Sequence, residues 1–133
     1  MSTHTEHEAL DLTYLRPLLP DAPDQALDFI DRLEQMFRWS SACALASIMA
    51  ACSTLDEAGL RVAACKLKRA CLSLGASPMA DMLVALETPA GPRDWDASRE
   101  LLGELAGESL RVPLALSHLR RLVAAGAPAA LAA

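Results

Sequence analysis

The chain has 133 residues, a net charge of −5, 53% hydrophobic residues and 4% aromatic residues. An acidic balance of this kind excludes non-specific nucleic-acid binding, which needs a basic surface to displace counterions. The length suits one compact domain over residues 1–133, able to bury roughly two thirds of its unfolded surface, and the excess of Ala and Leu over aromatics predicts an all-α fold of closely packed helices.

In chain order, residues 1–10 are polar and are expected to fray, as are residues 126–133 at the other end. Asp11 to Leu19 reads as a short helix bearing Leu12, Leu15, Leu18 and Leu19, ended by Pro20 and Pro23. A long helix from about Asp24 to Cys52 follows, with a buried stripe of Ala26, Phe29, Ile30, Leu33, Met36, Phe37, Ala44, Ile48 and Ala51 at a period near 3.6. Trp39 lies off that stripe, and its pattern fits either solvent or a cover from the first helix. Thr54-Leu55-Asp56-Glu57 has the form of a capping box, in which Thr54 accepts the Glu57 amide and Glu57 reaches back. It opens a helix that Gly75 ends. Ser77 at the N-cap and Pro78 at the first helical position start another, running to about Glu87. Thr88 to Pro92 breaks the chain. The last helix begins near Asp94, with Trp95 packed at its start, and buries Leu101, Leu102, Leu105, Val112, Leu116, Leu119 and Val123; Pro113 is expected to interrupt and kink it. A short N-terminal helix plus four that can bundle is the architecture these signals predict.

Four cysteines, Cys43, Cys52, Cys65 and Cys71, show neither C-x-x-C spacing nor a nearby histidine. Zinc binding and an intrahelical Cys65–Cys71 bridge are not expected, and reduced thiols in the cytoplasm are. No signal peptide is expected, since residues 1–10 are polar and acidic with no apolar run. The uncharged stretch between Arg38 and Asp56 is too short and too rich in Ser and Ala for a membrane span of ~20 strongly apolar residues.

The segment Ala64-Cys65-Lys66-Leu67-Lys68-Arg69-Ala70-Cys71-Leu72 carries the chemistry. At about 100° per residue, Leu60, Ala63, Leu67, Cys71 and Leu74 share one stripe while Cys65 lies roughly 160° from Leu67, facing outward. Arg61 and Arg69, four residues away, and Lys68, three away, are its helical neighbours. No acid occurs between Glu57 and Asp81. An acidic chain thus carries one basic patch, which suits an acidic protein partner. Leu72, one turn beyond Lys68, could form its apolar centre.

From Asp56 to Ala76 the chain also resembles the signature helix of histidine-containing phosphotransfer (HPt) domains, roughly D-x-x-x-L-x-x-x-A-H-x-L-K-G followed by L-G-A. The matching residues are Asp56, Leu60, Ala64, Leu67, Lys68 and Leu74-Gly75-Ala76. Two departures fall at the centre of the pattern: Cys65 stands where the family has its phospho-accepting histidine, and Arg69 where it has glycine. The resemblance implies an up-down four-helix bundle with a short N-terminal helix, and a protein of two-component phosphorelay signalling. Read with the two departures, it implies a non-phosphorylatable member that docks a receiver domain or hybrid histidine kinase through Arg61, Cys65, Lys68, Arg69 and Leu72. No enzymatic activity, cofactor or metal, nucleic acid or membrane partner is expected; the oligomeric state is open.

Two other chemistries fit the same residues. The neighbouring cations favour a thiolate, so Cys65 could itself accept phosphate, with His118 as a displaced alternative, or act as a redox-sensing thiol. Against phosphate transfer, Arg69 leans back over Cys65 at a place where in-line transfer tolerates little misplacement. The plainest alternative is that Cys65 is an ordinary small surface residue and the cations a solvated helix face.

Overall fold

The computed structural model describes residues 9–89 and 91–126, and all regular structure among them is helical. The helices are α1 (Leu12–Leu15), followed directly by a 3-10 turn (Arg16–Leu18), α2 (Pro23–Thr54), α3 (Glu57–Ser73), α4 (Ser77–Glu87) and α5 (Trp95–Ala124). The expected fraying of the two ends falls mainly on residues outside the described range. Where the N-terminal segment is described, Ala9 and Leu10 are buried in the core rather than loose.

Local chemistry explains each boundary. Asp11 caps α1 by accepting from the Thr13 and Tyr14 amides, and its own N–H donates to Gly75 O at 2.8 Å, which pins the N-terminal segment to the α3–α4 turn. Pro23 opens α2, where a missing amide hydrogen is harmless. That helix runs past Cys52, because Thr54 does not cap the next one: its hydroxyl donates back to Ala50 O inside α2. Leu55 then takes a left-handed conformation (φ 55°) and Asp56 N–H donates to Ala51 O. The cap of α3 is Asp56, whose Oδ1 accepts from Gly59 N at 2.9 Å, so the expected capping box is replaced by an aspartate two residues later.

At its other end α3 closes as a Schellman turn: Ala76 N–H donates to Cys71 O, Gly75 N–H to Leu72 O, and Gly75 sits at φ 76°. The start of α4 differs from expectation, since Ala76 holds the N-cap position without a side-chain bond and Ser77 is already helical. Asp94 caps α5 by accepting from Ala97 N at 3.0 Å. The helix then continues through Pro113 to Ala124 instead of being interrupted, with the proline itself buried.

Packing follows the apolar stripes. Helix α2 packs on α3 and α5, α3 on α4, and α4 on α5. Arg99 Nη2 donates to Cys52 O at 2.9 Å near one end of the α2–α5 pair, and Arg120 Nε to Asp31 Oδ1 at 2.9 Å near the other, so these two helices are antiparallel. Phe37, Ile48, Leu67, Leu83, Leu105 and Leu116 lie in one shared core, each burying on the order of 1.5–3 kcal/mol of apolar surface. The α2 stripe holds at Ala26, Ile30, Phe37, Ala44, Ile48 and Ala51; Phe29 and Leu33 are half-buried at its margin, and Met36, about 100° from Phe37, is exposed. On α5, Leu101, Leu102 and Val123 are likewise half-buried while Leu105, Val112, Leu116 and Leu119 are fully inside. Trp39 is 74% exposed, which answers what periodicity left open, and Trp95 packs against the core at the start of α5.

Candidate functional site: the outward face of α3

Arg61, Cys65, Lys68, Arg69 and Leu72 fall within about 100° of arc on α3, on the side turned from Leu60, Ala64, Leu67 and Cys71, which are buried. The helix therefore brings all five residues singled out from the sequence onto one face. Their surroundings are different from those a one-dimensional reading gives.

The acid-free run of sequence is not acid-free in space. Glu87, at the last turn of α4, reaches Lys68: Nζ donates to Oε1 at 2.7 Å, and both side chains are half-buried. The Lys68 hydrogen bond holds the Glu87 carboxyl below the usual carboxylate range, with smaller contributions from the Cys65 thiol and the Arg69 charge; the same bond raises Lys68. Cys65 is half-buried, so its thiol is displayed less fully than the helical wheel implies, and it faces a charged carboxylate as well as cations. Arg61 is taken up by Glu57, Nε to Oε2 at 2.7 Å. Of the five residues, Arg61, Arg69 and Leu72 are exposed, and Arg69 makes no ion pair or hydrogen bond among the described residues. Lys66, also exposed, borders an open groove of about 790 Å³ between α2 and α3, with Trp39, Cys43 and Val62 on its walls.

Glu57 anchors this end of the molecule. Besides Arg61 it accepts from Arg93, whose side chain is 4% exposed and whose guanidinium donates from Nη2 to Glu57 Oε2 at 2.9 Å and to Leu86 O at 2.6 Å and lies 5.6 Å from the centre of the Trp95 ring. Arg93 first, and Arg61 second, hold the Glu57 carboxyl down to about 2. This cluster ties the start of α3 to the end of α4 and the start of α5. Sequence reading missed both Arg93 and Glu87 as parts of the α3 environment, because each lies far along the chain from its partner and neither stands in a motif.

The remaining thiols are Cys43, exposed, and Cys52 and Cys71, buried; all four cysteines are free. Burial, and secondarily the charge of Glu108, pushes the Cys71 thiol up to about 12, which leaves it inert. His118 is half-buried on α5, a helix whose packing neighbours are α2 and α4. Among the described residues no group of three or more His, Cys, Asp or Glu could hold a metal ion, and no helix is long and apolar enough to cross a membrane.

Chemically, the α3 face offers one thiol beside a carboxylate, one guanidinium and one exposed leucine. That set supports docking through a mixed apolar and cationic surface. For a transferring phosphoryl group the nearby lysine is already taken, Lys68 being paired with Glu87, which leaves Arg69 as the unpaired cation of the five. Comparison with family models, with curated proteins and with solved structures gives no match.

Proposed function

We propose that the protein is a degenerate HPt-like module of two-component signalling, a cytoplasmic up-down four-helix bundle with a short N-terminal helix. It binds a receiver domain or the receiver-like part of a hybrid histidine kinase through the outward face of α3 and carries no phosphate. The reading rests on the signature helix from Asp56 to Ala76, and on one observation above the rest: the position where the family has its histidine is a half-buried thiol with the Lys68–Glu87 ion pair beside it and Arg69 exposed one turn on. A phosphoryl group on Cys65 would meet the negative Glu87 carboxylate, and Lys68, which would otherwise neutralise it, is committed to that carboxylate.

Binding to this face falls to Arg69 and Leu72, the two residues of the set that are exposed and unpaired. Immobilised protein is expected to retain a receiver domain of its own signalling system, and Arg69→Glu combined with Leu72→Ser to lose that capture by tenfold or more, about 1.4 kcal/mol. Capture unchanged by the double variant would remove this face from the interaction.

A further inference from the structure

Helix α5 has a second apolar face. Leu105, Val112, Leu116 and Leu119 turn inward and are buried, yet about 180° around the helix lie Gly103, Gly107, Leu110 and Leu114, with Leu110 68% and Leu114 56% exposed. A Cβ placed on Gly103 or Gly107 would meet nothing within 4 Å, so the glycines are two open notches beside two protruding leucines. The same line ends in opposite charges: among the described residues, Asp96 in the first turn is bound only to Arg99 of its own turn at 3.2 Å, and Arg121 in the last makes no ion pair.

The spacing of these residues is self-complementary. When a second α5 is laid antiparallel on the first, Asp96 faces Arg121, Gly103 faces Leu114 and Gly107 faces Leu110, and every one of these pairs is centred on the same point midway between Glu108 and Ser109. A two-fold axis through that point therefore seats four leucines in four glycine notches and closes an ion pair at each end. Isologous contacts require this kind of self-matching, in which residue i meets j and j meets i. Small residues at the crossing let the helix axes approach closely, and exposed leucines that fill a notch exclude water where an isolated exposed leucine would not.

We propose that the outward face of α5 is a self-association surface whose occupant is the α5 of a second copy of this chain, packed antiparallel about a two-fold axis. One helix against one helix buries less than the ~1,600 Å² of a standard interface, so the dimer is reversible and concentration-dependent. It is independent of the docking reading, since α5 packs on α2 and α4 rather than on the face of α3 that carries Arg69.

Sedimentation equilibrium across a concentration series tests it. The wild type is expected to approach twice the chain mass as concentration rises, and Leu110→Ser with Leu114→Ser to weaken association about tenfold or more. Gly107→Gln fills a notch on an open helix surface. It is expected to give a monomer with a higher melting temperature, because a better helix former replaces glycine, which separates loss of association from loss of folding. The decisive arm uses charge: D96R and R121D each place like charges together at both ends and weaken self-association severalfold, whereas an equimolar mixture of the two restores an opposite-charge pair at each end and recovers the dimer. A chain that stays monomeric at every concentration overturns the proposal and leaves the face to another protein. A dimer that these variants do not alter overturns it too, and places the contact elsewhere.

Discussion

The outward faces of α3 and α5 are built from opposite materials, and the contrast shows what a helical wheel can and cannot deliver. On α3 the sequence displays a crowd of four cations, and the fold spends two of them: Lys68 on Glu87 and Arg61 on Glu57, with Arg93 completing the second cluster. On α5 the sequence displays little beyond two glycines and two leucines on the side away from the core, and the fold leaves them bare. Charge is quenched both by a helical neighbour, Glu57 for Arg61, and by a partner 19 residues away, Glu87 for Lys68, whereas the apolar surface opposite the core stripe finds no cover among the described residues. A conspicuous patch in sequence can thus be a weak one in space, and an inconspicuous stripe an open one.

The sharpest way to break the contrast is to truncate one leucine on each side of the wall between core and solvent. Leu67→Ala, fully inside on α3, is expected to cost about 2–5 kcal/mol in urea unfolding. Leu110→Ala on α5 is expected to change the monomer's stability by less than about 0.5 kcal/mol, measured under dilute conditions. Comparable losses at the two positions would mean that Leu110 is covered within the domain. The two helices are alike at their starts, where Asp56 and Asp94 each accept one amide. Replacing either by alanine is expected to cost about 1 kcal/mol. A much smaller effect for Asp56 would return the cap to Thr54.

The third probe is pH. The Glu57 carboxyl is held down to about 2 from 4.5 in the folded chain by Arg93 and then Arg61, so its contribution to stability is fully present above pH 4.5 and is lost as pH falls toward about 2. Glu57→Gln should be less stable than wild type at neutral pH, and the gap should close on acidification through that window. A gap that is constant between neutral and acid pH would show that Glu57 is not held by those arginines.

These contrasts also mark what was legible in the residues. The helical class, the extents of α4 and α5, the Gly75 turn and most of the α2 stripe follow from short-range patterns, and the structure shows them. Boundaries slipped where two local signals competed. Thr54-x-x-Glu57 has the spacing of a capping box, but the Thr54 hydroxyl stays with Ala50 O and Leu55 accepts a left-handed turn, so Asp56 caps instead. Ser77 stands beside Pro78 in the order expected of a cap, but the helix has already begun there. Pro113 does not end α5, since the packed face of Val112, Leu116 and Leu119 outweighs one missing amide. What the sequence could not reveal was the company of Cys65. Lys68 and Glu87 are 19 residues apart, and Arg93 and Glu57 are 36 apart; pairs at such separations leave no periodic trace.

The claim that phosphate chemistry has been lost from an HPt-like helix is tested most directly by putting that chemistry back. The wild type and the C65H/R69G/E87Q triple variant, in which Lys68 is released from its carboxylate, are incubated with the small phosphodonor phosphoramidate, and the intact mass and the modified residue are read by mass spectrometry. An unmodified wild type and a triple variant phosphorylated on the introduced imidazole are expected. Phosphate on Cys65 or His118 of the wild type, or a folded triple variant that takes up none, would contradict the claim.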